Sequence, residues 1–219
     1  AGWCGHGGHK WTLAINRSPS RYDTRMPTTH LLYLHGFRSS PLSAKAQKVA
    51  ARVHSRNPGV TWWCPQLPPS PRLAMEAVMQ GIALWPRESM AVIGSSLGGF
   101  YATCVAQQTG CPAVLLNPAV HPARDLAAYI GEQTQFHNPE ERFFFQPAFV
   151  DELLALDPGP LRDPERIFAI IARGDEVLDW REMAGRYPGA RIKLLDGGSH
   201  ALSDFDDHLD ELFGFLGLR

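Results

Sequence analysis

The stretch Met90-Ala91-Val92-Ile93-Gly94-Ser95-Ser96-Leu97-Gly98-Gly99-Phe100 decides the fold of this 219-residue chain. Four apolar residues read as a buried strand, and they run straight into Gly-x-Ser-x-Gly and then into the helical pattern of YATCVAQQ. A turn that lifts Ser96 above a sheet presses the strand and helix backbones together, so Cβ atoms at Gly94 and Gly98 would collide. Ser96 then stands at a helix N-terminus, where free amides and the dipole favour negative charge. Of the two adjacent serines, Ser96 holds the central position of the motif and is the candidate nucleophile.

Outward from this turn, short apolar runs alternate with helical patterns. THLLYLH, VTWWC, SMAVIG, AVLLN, RIFAIIA and ARIKLLD are the strand candidates. Runs as continuously apolar as LLYL, AVLL and FAII suit strands covered on both faces. The alternation predicts an α/β fold, a mostly parallel doubly wound sheet of six strands. SPLSAKAQKVAARVHSR is a helix with Ser40 as N-cap and Pro41 at its first position, with Leu42, Ala46, Val49, Ala50 and Val53 inward and Asn57-Pro58-Gly59 as the stop. A second helix runs through Leu73, Ala77, Val78 and Ile82, and DFDDHLDELFGFLG closes the chain as an amphipathic helix. Between Asn117 and Arg166 no strand is evident. The helical patterns PARDLAAYI and FVDELLAL suggest a short helical cap insertion, about residues 119–165, over the carboxyl edge of the sheet, where lids are commonly built.

A nucleophilic serine needs a base, and the base needs a group that fixes its tautomer. Among nine histidines, His200 follows a strand and a Gly-Gly-Ser turn, which places it at the carboxyl edge. His35, at the end of the first strand, is the rival but more often supports such a loop. His6, His9, His54 and His208 fall in a tail or on helix patterns and should face solvent. His121 and His137 lie in the insertion, and His30 opens a strand. Asp175 is the first carboxylate beyond RIFAIIA; Glu176, Asp179 and Asp196 compete, with Asp179 placed to cap the next helix. The order Ser96, Asp175, His200 is the nucleophile–acid–base order of α/β-hydrolases. Oxyanion donors are expected at the backbone N–H of Leu97, next to the nucleophile, and of Phe37, in the loop after the first strand.

The formal net charge of −1 argues against a nucleic-acid binder, which normally carries a basic excess. No run approaches the roughly 18 apolar residues of a membrane span. Cys4, Cys64, Cys104 and Cys111 have neither metal-site spacing nor the density of a disulfide scaffold, so they read as buried small hydrophobes of a reducing, cytoplasmic compartment. Residues 1–25 have no period and read as an N-terminal extension, disordered or not native, ahead of a domain at 26–219. WTLAIN within it could add an edge strand, and Cys4, His6 and His9 lack a fourth ligand for a metal site. No metal and no cofactor is expected. Phe136 and Phe143-Phe144-Phe145 either line an acyl pocket or, more commonly for such clusters, pack the insertion.

Five blocks, LLYLHGFRSSPLSAKA, IGSSLGGFYATCVA, LNPAVHP, GDEVLDWREM and GGSHALSDF, together resemble the small bacterial YqiA-type esterases of the α/β-hydrolase superfamily. The resemblance runs from about Leu31 to the C-terminus. It implies a compact hydrolase with a short cap, acting on carboxylic esters with short to medium acyl groups. It also implies a triad at Ser96, Asp175 and His200. The chain is expected to be a cofactor-independent serine hydrolase, a monomer or weak dimer. An acyl-CoA thioesterase is the near alternative, for which Arg38, Arg124 and Arg142 could offer phosphate contacts. A binding protein on a retained hydrolase fold is the more distant one, and it expects a lost triad member.

Overall fold

The computed structural model describes residues 26–219. Residues 1–25, with the Cys4, His6 and His9 cluster and the WTLAIN stretch, lie outside the described residues. Six strands form one sheet: β1 (His30–Leu34), β2 (Thr61–Trp63), β3 (Met90–Ser95), β4 (Ala113–Leu116), β7 (Ile167–Ala172) and β8 (Arg191–Leu195). Their spatial order is β2-β1-β3-β4-β7-β8, and every pairing is parallel. Each strand therefore returns through a crossover, and β3, β4 and β7 are apolar and buried on both faces. Leu32, Leu34, Val92, Leu115, Ala169 and Ile171 pack to one side. Leu31, Tyr33, Ala91, Ile93, Val114, Leu116, Phe168 and Ile170 pack to the other. That division is the period-two alternation of strand side chains.

Helix α3 (Leu97–Thr109) follows β3 without a linker, and its residues Leu97 to Ala106 are all buried. Such all-round burial explains why its sequence shows no polar stripe. Helix α1 (Ala44–Arg56) buries Ala46, Val49 and Val53 and ends at Asn57 as expected. Its start differs from the sequence expectation. The Ser40 hydroxyl accepts the Leu42 amide, and Ser43 N–H donates to Ser40 carbonyl. Ser40 thus caps a separate turn, the helix begins after Ser43, and Leu42 is exposed. Helix α2 (Pro71–Gly81) has Ser70 as N-cap, its hydroxyl accepting the Leu73 amide, and buries Ala74, Met75 and Val78. The apolar face is rotated from the one expected, so Leu73 and Ala77 are exposed.

The segment after β4 also departs from expectation, because it is not wholly helical. Helix α4 (Pro122–Leu126) and a 3-10 turn lead into an antiparallel hairpin, β5 (Gly131–Thr134) and β6 (Arg142–Phe145), before α5 (Pro147–Ala155). Consecutive aromatics of strand preference were masked by their lack of alternation. Phe145 is buried while Phe144 opposite Glu132 is exposed. On α5, Glu152 accepts from Ser70 hydroxyl at 2.6 Å and the Arg72 amide at 3.0 Å, which docks the segment on α2. Helix α6 (Trp180–Arg186) begins at Asp179, whose carboxylate accepts the Arg181 amide as a cap. The C-terminal segment starts as a 3-10 turn (Phe205–His208) and continues as α7 (Leu209–Phe215). His208 is buried there, against expectation, with Lys193 Nζ 3.3 Å from its Nδ1.

At Gly98 an added Cβ would lie 2.0 Å from the Leu34 carbonyl oxygen, and at Gly94 it would lie 2.1 Å from the Gly98 carbonyl oxygen. Both obstacles are backbone, so neither can rotate away. Gly98→Ala is expected to lower the unfolding free energy by upwards of about 3 kcal/mol. Gly59→Ala, where a Cβ meets nothing within 4 Å, should stay within about 0.5 kcal/mol of the parent. Urea unfolding followed by circular dichroism measures both.

Candidate active site

Ser96 lies in the turn between β3 and α3 with φ 57° and ψ −123°, a conformation an L-residue adopts only when its surroundings enforce it. Three backbone bonds do so. Ser96 N–H donates to Leu116 carbonyl at 3.0 Å, and the Ser96 carbonyl accepts Gly99 N–H at 2.8 Å and Ala119 N–H at 3.0 Å. The nucleophile candidate is thereby fixed to the ends of both β3 and β4.

His200 Nε2 stands 3.0 Å from Ser96 Oγ, and His200 Nδ1 stands 2.7 Å from Asp175 Oδ2. The Asp175 side chain is wholly buried, and its other oxygen accepts the amides of Val177 and Leu178 at 2.8 and 2.9 Å. With both oxygens committed as acceptors, the carboxylate fixes the Nδ1–H tautomer and leaves Nε2 free to accept from the serine hydroxyl. The competing carboxylates have other partners. Asp179 caps α6, Asp196 pairs with Arg173, and Glu176 accepts the His200 backbone amide at 3.0 Å. That amide, first among its interactions, holds the Glu176 carboxyl below the usual range.

Asn117, at the end of β4, was not among the residues singled out from the sequence. It is buried with φ 42°. Its Nδ2 donates to the carbonyls of Ser199 and His200 at 3.1 and 3.3 Å, and its Oδ1 accepts the Ala172 amide at 2.8 Å. One side chain thus ties β7, the strand that leads to Asp175, to the loop that carries His200. Its only trace in the sequence is a polar residue directly after AVLL, where a short side chain that tolerates positive φ is favoured.

The loop after β1 passes against Ser96. A Cβ at Gly36 would lie 3.1 Å from Ser96 Cβ and 3.6 Å from its Oγ. The amide of Phe37 donates to no group among the described residues, and Leu97 N–H, in the first turn of α3, has no intrahelical partner. Leu97 follows Ser96 in the chain, and Phe37 lines the same cavity as Ser96. His35 is a strut of this loop: Nδ1 lies 3.0 Å from Gly36 carbonyl and Nε2 accepts the Leu67 amide at 3.1 Å. Burial lowers its pKa, consistent with a neutral ring whose two nitrogens are both occupied.

The hairpin is latched onto the same loop. Arg38 Nε donates to Thr134 carbonyl at 2.7 Å, Arg38 Nη2 to Thr134 hydroxyl at 3.0 Å, and Phe136 N–H to Arg38 carbonyl at 2.8 Å. The Phe37 ring meets Tyr129, Phe143 and Phe145 edge-on at 5.3–5.9 Å. Phe143 and Phe145 are therefore packing residues, whereas Phe136 lies under the Arg38 guanidinium and lines a cavity beside Ser96. That cavity, about 260 Å³, is also lined by Tyr33, Gly36, Phe37, Lys45 and His200. The three arginines considered as a phosphate patch are each engaged elsewhere: Arg38 with Thr134, Arg124 with Glu182 and Asp125, and Arg142 with Glu132. His54, His121 and His137 are exposed. Cys104 and Cys111 are buried free thiols and Cys64 is partly buried, and burial pushes Cys64 and Cys104 up to about 12. No helix among the described residues is long and apolar enough to cross a membrane.

Comparison with known proteins extends these observations. A UPF0227 protein of Yersinia pseudotuberculosis is 26% identical over 132 residues, covering 60% of this chain and 67% of that protein. Alpha/beta hydrolase domain-containing protein 10 from mouse superposes with a TM-score of 0.59 at 17% identity, over 84% of this chain and 91% of that one. A structure from the metagenome-derived lipolytic enzymes LipS and LipT gives a TM-score of 0.65 at 16% identity, over 88% of this chain and 95% of that one. At such identities these structures bear on the fold, which is the α/β-hydrolase fold. The model of the uncharacterised protein family UPF0227, a YqiA-like family, matches residues 30–217, and the chain belongs to that family.

Proposed function

We propose that the chain is a serine hydrolase that cleaves carboxylic esters of short to medium acyl groups through an acyl-enzyme on Ser96. The observation that carries this reading is the unbroken chain of contacts from Ser96 Oγ through His200 to Asp175, at 3.0 and 2.7 Å. As Ser96 Oγ attacks the ester carbonyl carbon, its proton passes to His200 Nε2, and the Asp175 carboxylate stabilises the imidazolium. The carbonyl oxygen becomes an alkoxide between the amides of Leu97 and Phe37, each such donor contributing about 3–4 kcal/mol to the transition state. Collapse breaks the bond to the alcohol, which leaves with the proton from His200. Water then delivers its proton to the same nitrogen as it attacks the acyl carbon, and collapse breaks the bond to Ser96 Oγ, which takes the proton back from His200 and frees the acid. A cavity of about 260 Å³ beside Ser96 suits a modest acyl group. The engagement of Arg38, Arg124 and Arg142 with protein partners supports a simple ester over an acyl-CoA.

A fluorophosphonate probe followed by peptide mass spectrometry is expected to place its adduct on Ser96. Ser96→Ala should abolish both labelling and turnover of p-nitrophenyl butyrate. Asp175→Asn should lower kcat by about 10⁴-fold, since an amide no longer enforces the Nδ1–H tautomer. A folded sample with neither adduct nor turnover would refute the hydrolase reading. Asn117→Ala releases the loop carrying His200, so kcat should fall about 10- to 100-fold with KM little changed. A melting curve recorded alongside separates this loss from unfolding.

A further inference from the structure

Among the described residues three lysines are present, and two of them are paired. Lys48 meets Asp206 at 2.6 Å and Lys193 meets Glu211 at 2.6 Å. Lys45 has no carboxylate within 4 Å among the described residues; its single hydrogen bond goes to the Ala201 carbonyl at 2.8 Å. Yet it is half-buried and lines the cavity that contains Ser96 and His200. One further feature of that cavity points the same way. The N-terminus of α1 enters at Ser43, Ala44 and Lys45, where Ser43 supplies no side-chain cap and no acidic residue occupies the first turn. An ammonium with no carboxylate partner and uncapped helix amides are both donors, and both line the cavity that holds Ser96.

From this we infer that the site takes esters bearing a carboxylate, held by Lys45 with the first turn of α1, a few bonds from the scissile carbonyl. The inference rests on the serine-hydrolase reading and adds the substrate class to it. Desolvation lowers the Lys45 pKa to about 8, against the opposing field of Asp175, so the ammonium gains from an anionic partner in the cavity. A carboxylate beside it restores the interactions that burial removed, in a place where charge-assisted hydrogen bonds are strong. The carboxylate could sit on either side of the ester, and the test separates these.

Turnover of monoethyl glutarate (anion in the acyl part), O-butyrylglycolate (anion in the alcohol part) and ethyl pentanoate (neutral) is followed by proton release at constant pH. The wild type should favour one of the two anionic esters over the neutral one in kcat/KM by about tenfold or more. In Lys45→Met that ratio should collapse towards one through KM of the anionic ester, and Lys45→Arg should restore much of it. Equal use of neutral and anionic esters by the wild type would overturn the inference while leaving the hydrolase reading intact. So would a Lys45→Met variant that loses neutral and anionic turnover alike, which would make Lys45 a support for the Ala201 loop. Absence of all ester turnover, together with no fluorophosphonate adduct at Ser96, would remove both.

Discussion

The contact on which the rest depends is the approach of the α3 backbone to the ends of β1 and β3. With only hydrogens at Gly94 and Gly98, the helix starts directly above the sheet, and Leu34 and Gly98 meet backbone to backbone. No side-chain interaction substitutes for this, because the distances leave no room for one. Everything chemical is hung from it. The strained φ of Ser96, the free amide of Leu97 and the passage of Gly36 beside Ser96 all follow from two elements being closer than Cβ atoms allow.

The parallel sheet then gathers the other groups without further special geometry. Parallel strands end on the same edge, and the chain reverses direction between β1 and β3, opening a crevice there. Asp175 leaves β7 and His200 leaves β8, next-door strands whose loops can touch. Asn117 spans the gap from β4 to both. A fold that needed antiparallel returns would have put these residues on opposite edges.

This explains which parts were legible in the sequence. The elbow, Asp175 and His200 could be read because their positions are set by local signals: an apolar run, a stop, and a polar residue next to it. The six strands of the sheet were legible for the same reason. Asn117 was not, because its role is defined by the carbonyls of Ser199 and His200, more than 80 residues away in sequence. The hairpin at Gly131–Phe145 was missed because Arg142-Phe143-Phe144-Phe145 does not alternate, and its contacts with Arg38 and Phe37 leave no local pattern. His208 looked like a surface residue of an amphipathic helix; a 3-10 turn ahead of α7 rotates it inward. Lys45 carried no signal either, since a lysine on a helix ordinarily faces water.

The latch between Arg38 and Thr134 has an evolutionary consequence. The residue that fastens the hairpin is the immediate neighbour of Phe37, which lines the cavity beside Ser96 and whose ring packs into the hairpin. Lengthening or reshaping the hairpin to admit a new substrate therefore tugs on the loop that passes against Ser96. Diversification of such a scaffold is channelled away from the hairpin stem and towards positions such as Lys45, which touches the cavity from α1 and has no part in the latch.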